Sequence, residues 1–292
     1  MHGILNLDKP KGWTSRDAVN VIQRLVRPEK TGHAGTLDPL AQGVLVCPVG
    51  PATRLIEYVQ RLPKTYEAVF LLGRHSETED VDGTVVSLSD PPIPELDQIE
   101  AVLPSFRGLI EQVPPAFSAL KVQGKRAYDL ARKGQAVELK SRPVIIYSVE
   151  IQDYTYPRLG LRIECGSGTY VRSLGRDLAR SLGTEAVMAE LTRTAIGPFR
   201  IEDALAVSKE LTSDDLRQNL RPTGEAVEDL PQVTIDRDEI VRLAQGKRID
   251  IELPATTAEL AAVDAQGNLV AILGPDQAGR WRTLRNFANL YL

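Results

Sequence analysis

Leu159 to Gly183 reads LGLRIECGSGTYVRSLGRDLARSLG. Leu159, Leu161, Ile163 and Cys165 alternate with Gly160, Arg162 and Glu164, the two-residue period of a strand with one buried face. Gly166-Ser167-Gly168 then turns the chain, and the period changes. Val171, Leu174, Leu178 and Leu182 recur at helical spacing until Gly183 stops the run. The same contrast recurs on the N-terminal side. TYEAVFLLG (65–73) puts Tyr66, Ala68, Phe70 and Leu72 on one strand face, and GVLVCPVG (43–50) reads as a buried strand before a short helix over 52–60. Nearer the start, Thr14 caps a helix with Asp17 three residues on and Ala18, Val21, Ile22, Leu25 and Val26 along one side.

Between these elements the periodicity lapses. Residues 27–42 (RPEKTGHAGTLDPLAQ) form a long shaped loop, SETEDVDG a loop or turn, and the proline pair in 111–124 argues against regular structure there. A short helix is expected around Arg126 to Lys133. Strands and helices alternate irregularly, with several hairpin-like pairs, so the fold class is α+β: a mixed, largely antiparallel sheet with flanking helices. RPTGEAVEDLP (221–231) is the best boundary, and the runs Leu260–Val263 and Leu269–Leu273 beyond it suggest a small β-rich module. The expected division is 1–230 and 231–292.

The chain has 292 residues, 42% hydrophobic and 25% charged, enough apolar material for a sizeable core, which excludes disordered and disulfide-stapled classes. No apolar run approaches the ~20 residues of a membrane span, and MHGILNLDKPKGWTS carries charges where a signal peptide needs an apolar stretch. A cytosolic protein is expected, with Cys47 and Cys165 as buried, reduced thiols. The net charge of -4 is unevenly spread. Residues 1–74 net +4, 75–105 net -8, 106–200 net +6 and 201–292 net -6. Two basic blocks suit a local phosphate-binding groove, and equally the solvated faces of an ordinary enzyme.

The loop GHAGTLDP (32–39) is the sharpest local feature. Gly32 and Gly35 allow close backbone approach, and Pro39 pushes Asp38 toward an extended conformation. Asp38 so placed can point into a cleft as nucleophile or base, or simply start a turn. Arg172 sits in a helix's first turn, where a nearby anion would offset its unfavourable position; a surface arginine lying along the helix is the plainer reading. Tyr66 suits either core packing or stacking on a planar ligand. His33 has no zinc-like spacing around it, and neither Gly-rich stretch matches a nucleotide fingerprint, so no metal and no cofactor is expected. KVQGKRAYDLARKG (121–134) carries five cations against Asp129, as a phosphate-gripping arm or a solvated helix face would.

Taken in order, GILNLDKPKGWTS, KTGHAGTLDPLAQGVL, KTYEAVFLLG with SETEDVDG, QVPPAFSALKVQGKRAYDLAR, GTYVRSLGRDLA and ELTRTAIGPF resemble the TruB family of tRNA pseudouridine synthases over most of residues 1–200. The resemblance implies that Asp38 is the catalytic aspartate, Tyr66 the uracil-stacking tyrosine and Arg172 the arginine that pairs with the carboxylate. It places the histidine that helps extrude the nucleotide at His33 and a pocket leucine at Leu191, with Gly35 and Thr36 beside the substrate. The region near 111–135 corresponds to an insertion that closes over the RNA, where Lys121, Lys125, Arg126 and Arg132 would grip phosphates. The implied reaction turns uridine 55 in the T loop of tRNA into pseudouridine, with tRNA as partner and a monomer sufficient. Residues 232–292 look like a short, diverged PUA-type RNA-binding module, in which Arg280, Arg282 and Arg285 form one local patch. A tRNA-binding or tRNA-folding protein without chemistry, or a nucleoside glycosidase, are the competing readings.

Overall fold

The first helix starts on a reciprocal cap. The Thr14 hydroxyl accepts from the Asp17 N–H, and the Asp17 carboxylate accepts from the Thr14 N–H, so helix α1 (Ser15–Val26) satisfies donors a bare terminus leaves open. Its buried side, Ala18, Val19, Val21, Ile22 and Val26, packs on Leu5 and Leu7 of strand β1 (Gly3–Lys9) and on Leu45 and Cys47 of β2 (Gln42–Val49). Val44 and Val46 of β2 face a second core on the opposite side, which explains why that strand reads as one apolar run rather than an alternation.

The structure is a computed structural model describing residues 1–117, 121–122, 125–126, 139–249, 258–276 and 281–292. After β2, a 3-10 turn leads into α2 (Ile56–Arg61) and then β3 (Lys64–Leu72). Short strands β4 (Arg74–His75) and β5 (Val86–Ser87) flank the acidic turn, and α3 (Leu96–Val102) precedes β6 (Gly108–Gln112). The hairpin β7 (Lys121–Val122) and β8 (Lys125–Arg126) is followed by β9 (Arg142–Thr155), β10 (Arg158–Cys165), α4 (Val171–Ser181) and β11 (Ala186–Ile196). Strands β12 (Phe199–Arg200) and β13 (Leu205–Ala206), helix α5 (Ser213–Gln218) and strand β14 (Leu220–Arg221) complete this part. Beyond them stand β15 (Gln232–Thr234), α6 (Arg237–Ala244), β16 (Leu260–Val263), β17 (Leu269–Pro275) and β18 (Trp281–Asn286).

Ten strands make one mixed sheet in the order β13-β1-β2-β11-β3-β10-β9-β6, with β12 on β11 and β14 on β1. The alternations at 65–73 and 159–165 meet in its centre: β3 runs antiparallel to β10 and to β11, setting Tyr66 opposite both Ile163 and Arg193. Their buried faces join Val171, Leu174 and Leu178 of α4 in one core, which also takes Leu37, Leu40 and Ala41 from the long loop. The last four strands form a separate sheet in the order β15-β16-β17-β18.

Two expectations are revised. Regular structure reaches into 111–124 from both sides, because the proline pair interrupts only the stretch between β6 and β7. Arg126 belongs to a strand rather than a helix start, and the rest of the helix expected to Lys133 lies outside the described residues. Arg132 and Arg280 also lie outside them.

Candidate active site

The loop carrying Asp38 is fastened at several points. Its early part runs beside β2, where the Ala34 N–H donates to the Val46 carbonyl at 2.9 Å. Ser15, buried in the first turn of α1, donates its hydroxyl to the Leu37 carbonyl at 3.0 Å and accepts from the Leu37 N–H at 2.8 Å. The Gly12 N–H donates to the Pro39 carbonyl at 2.7 Å, and Leu37 and Leu40 are anchored in the core on either side of Asp38. With both neighbours fixed, the carboxylate projects outward, its side chain 43% exposed.

Arg172 meets it from α4. Its guanidinium is only 7% exposed, Nη2 lying 2.8 Å from Asp38 Oδ2 and Nη1 lying 3.2 Å from Asp80 Oδ2. It also donates to the carbonyls of Thr78 at 2.8 Å and Phe117 at 3.0 Å. The surface-arginine alternative is thereby overturned: the side chain is buried, and two carboxylates offset the cost of a cation at a helix N-terminus. Gln112 holds the residue before the helix, accepting from the Tyr170 N–H at 2.8 Å and donating to its carbonyl at 3.1 Å. Asp80 is buried and held by the Thr78 hydroxyl at 2.6 Å. Next to it, Glu79 pairs with Arg176 and accepts from Ser173 at 3.1 Å, tying the acidic turn to α4. Burial nonetheless pushes the Glu79 carboxyl above its ordinary range.

These groups open onto a cleft of about 300 Å³. Asp38, Arg142 and the exposed Ser167-Gly168 turn stand at its mouth; Tyr66, Met188, Leu191, Lys64 and Arg193 lie deeper and are buried. The cleft therefore brings together Asp38, Tyr66, Arg172, Gly35, Thr36 and Leu191 of the residues expected from sequence. It does not include His33, which stands along the same loop, half-buried. Burial and the neighbouring Arg16 hold its imidazole below the usual pKa, and its Nδ1 has no hydrogen bond among the described residues. Lys121, Lys125 and Arg126 belong to the β7–β8 hairpin, with Lys121 paired to Arg126 across it.

Residues that sequence reading passed over complete the wall. Lys64 is 6% exposed and Arg193 2% exposed, yet both line the cleft. Arg193 donates from Nε to the Val44 carbonyl at 2.7 Å and from Nη2 to the Gly35 carbonyl at 3.0 Å, bracing the loop that carries Asp38 against β2. Its guanidinium carbon lies 6.0 Å from the Tyr66 ring centre. Lys64 and Lys9, both buried and both facing Arg193, are each pushed down to about 8. Burial drives the thiols the other way, Cys47 to about 12 and Cys165 to about 11, so both are inert at neutral pH. Among the described residues no group of three His, Cys, Asp or Glu side chains is placed to hold a metal ion.

A wider cleft of about 880 Å³ lies between α2 and the four-stranded sheet, lined by Arg54, Lys247, Arg248 and Arg282, with Gln60 common to both clefts. Unlike the smaller cleft, its lining includes no aromatic side chain among the described residues. Arg285, expected in an open patch, is tied instead to Glu57 and the Arg54 carbonyl.

A mixed sheet presenting a loop carboxylate to a buried arginine above a tyrosine is the architecture of a pseudouridine synthase, an isomerase that re-attaches a base to its own sugar. A chain in the crystal structure of a Cbf5–Nop10–Gar1 complex is similar, with a TM-score of 0.70 and 28% identity over 93% of this chain and 78% of that one. The chain belongs to the TruB family: the model for the TruB family pseudouridylate synthase N-terminal domain matches residues 23–171, and that for the tRNA pseudouridine synthase II C-terminal region matches 230–288. The tRNA pseudouridine synthase B of Dehalococcoides mccartyi is 38% identical over 98% of this chain and 97% of its own length. That of Rhizobium meliloti is 42% identical over 98% and 95%.

Proposed function

We propose that this pseudouridine synthase acts on tRNA and isomerises the uridine at position 55 of the T loop, with Asp38 as the reacting carboxylate. The names of its relatives support the tRNA substrate, and the TruB resemblance of residues 1–200 supports the position. The observation that carries the site is the Asp38–Arg172 pair, 2.8 Å apart, at the mouth of a cleft floored by Tyr66.

The roles follow from placement. A cleft of about 300 Å³ admits one everted nucleotide, not a stacked helix. Everting the base costs a few kcal/mol, offset by packing on Tyr66, Met188 and Leu191. Arg172, 2.8 Å away, aims the Asp38 carboxylate. The C1′–N1 bond breaks, the uracil turns within the cleft, C5 bonds the same ribose carbon, the C5 proton departs and N1 takes up a proton from solvent. Asp38 capturing the ribose carbon, adding to the ring, or removing a sugar proton all use this placement. The wider cleft, joined to the smaller one at Gln60, gives the RNA stem a cationic path toward the last four strands.

Release of tritium from uracil C5 of a tRNA transcript measures the reaction. Asp38→Asn should stop release while tRNA binding survives, and a transcript with cytidine at position 55 should release no label from that site. Undiminished turnover by the variant removes Asp38 from the mechanism; release from other uridines alone removes the T-loop assignment.

A further inference from the structure

Lys64 and Arg193 are two buried cations for which the chemistry above has no use. The cleft is lined by four cations, Lys64, Arg142, Arg172 and Arg193, and by one carboxylate, Asp38. Arg172 is matched by Asp38 and Asp80. Lys64 and Arg193 have no acidic ion-pair partner among the described residues; their recorded backbone partners are carbonyls, Gln60 and Leu62 for the ammonium, Val44 and Gly35 for the guanidinium. An ammonium has three donors and two are used, so Lys64 keeps one for the cavity. Arg193 lines the same cavity and also reaches the Tyr66 side chain with a hydrogen bond. Burying two like charges side by side is costly unless something negative arrives.

The anion is identified by depth. Phosphates of an everted nucleotide remain joined to the RNA and stay at the mouth, by Arg142 and the Ser167-Gly168 turn. The buried end receives the base. When the C1′–N1 bond breaks, its electron pair stays on the uracil, delocalised over N1 and both carbonyl oxygens. If Asp38 instead adds to the ring, the displaced pair moves onto the same carbonyl system. In either case the negative charge of Asp38 is consumed as an equal charge appears on the base. It returns to the Asp38 carboxylate when C5 bonds C1′ and the carboxylate is released, after which the C5 proton passes to solvent and N1 takes up a proton.

We propose that Lys64 and Arg193 form an anion-binding floor that holds the uracil edge and stabilises the negative charge the base acquires while detached. This rests on the everted-nucleotide reading of the cleft. Donors fixed in a dry site act most strongly where charge develops, and loss of one typically costs about 10²-fold in rate. Arg193 also braces the catalytic loop, so Lys64 is the residue to test.

Lys64 faces Arg193 from β11, Cys165 from β10 and the Gln60 and Leu62 carbonyls at the end of α2, with Tyr66 on its own strand. Its ammonium is charged below about pH 8 and neutral above, so charge stabilisation should be lost as pH rises through that value. The experiment is single-turnover rate against pH, with tRNA Kd against salt, for wild type, Lys64→Met and Lys64→Arg. Lys64→Met should lose about 10²-fold in rate at pH 7 with Kd and salt slope unchanged. Lys64→Arg should recover most of that loss and remove its share of the alkaline decline, leaving what Lys9 contributes. Three results overturn the proposal: a rate unchanged in Lys64→Met; a weakened Kd with the salt slope reduced by about one, which marks a phosphate contact; or a Lys64→Arg as slow as Lys64→Met, which marks a structural role. Asp38→Asn, assayed in parallel, tests the carboxylate separately.

Discussion

Asp80 sets how firmly the Asp38–Arg172 pair is held. Arg172 reaches two carboxylates, but only Asp38 opens to the cleft; Asp80 is as buried as the arginine and fixes the other side of the guanidinium. Asp80→Ala leaves a buried cation short of a partner, an error worth about 3 kcal/mol of folding stability in comparable pairs. It also frees the guanidinium to pivot, and misplacement on the order of 1 Å costs about 10²-fold in rate. Asp80→Asn, which keeps an acceptor, should lose less of both. Urea unfolding beside single-turnover rates checks the order; equal losses for the two variants would show that charge, not geometry, is what Asp80 supplies. The sequence displayed one half of this site. Asp38 stood in a loop whose glycines and proline marked a shaped backbone, and Tyr66 stood on a strand face of visible parity. Asp80 was hidden in an acidic turn that charge alone assigns to solvent, because its partner is 92 residues away in the chain. Arg193 was hidden likewise, since only the pairing of β11 with β3 puts it beside Tyr66.

Helix α4 is the element that converts packing into site geometry. It carries Arg172 at its start, Arg176 one turn later against Glu79, and a buried stripe on β11 and β3. Gly175, in mid-helix, costs about 1 kcal/mol of helix propensity against alanine. The sequence offers no reason for it. The structure does: a Cβ there would overlap the Phe70 ring, so glycine is what lets α4 lie this close to β3. Gly175→Ala should therefore destabilise by roughly 1–3 kcal/mol in spite of the better propensity, because the helix must lift or Phe70 must leave its rotamer. Arg172 rides on the same helix, so the rate should fall with stability. A stabilised variant of full activity would mean that α4 has room the packing does not show. Elements whose pattern is local, such as the Thr14 cap and the alternation of 159–165, were legible; this contact, which needs the register of a helix over a sheet, was not.

At the scale of the whole molecule, composition and packing divide the chain differently. Charge and the proline-containing 221–231 segment suggest an attached module, and the last four strands do form their own sheet with a core of Ile240, Leu243, Leu260 and Val270. A second cluster ignores that division. Val44, Leu55 and Tyr58 from the N-terminal part pack in one buried group with Ala261, Leu269, Ile272 and Phe287. Arg61 with Glu259 and Glu57 with Arg285 tie its edge, though such half-exposed pairs add little. An interface made of shared apolar core should unfold with the parts it joins, whereas a polar interface would let each part melt alone. Calorimetry of the full chain should then show one transition whose calorimetric and van't Hoff enthalpies agree. Phe287→Ala removes a side chain 2% exposed from that shared core, at a cost of about 3–5 kcal/mol. The loss should lower the midpoint of the single transition rather than split it, and it should be felt at Asp38, because β2, which packs on this core, also pairs with the loop that holds the carboxylate. Two resolved transitions, with only the smaller moved by Phe287→Ala, would show that the modules share surface but not stability.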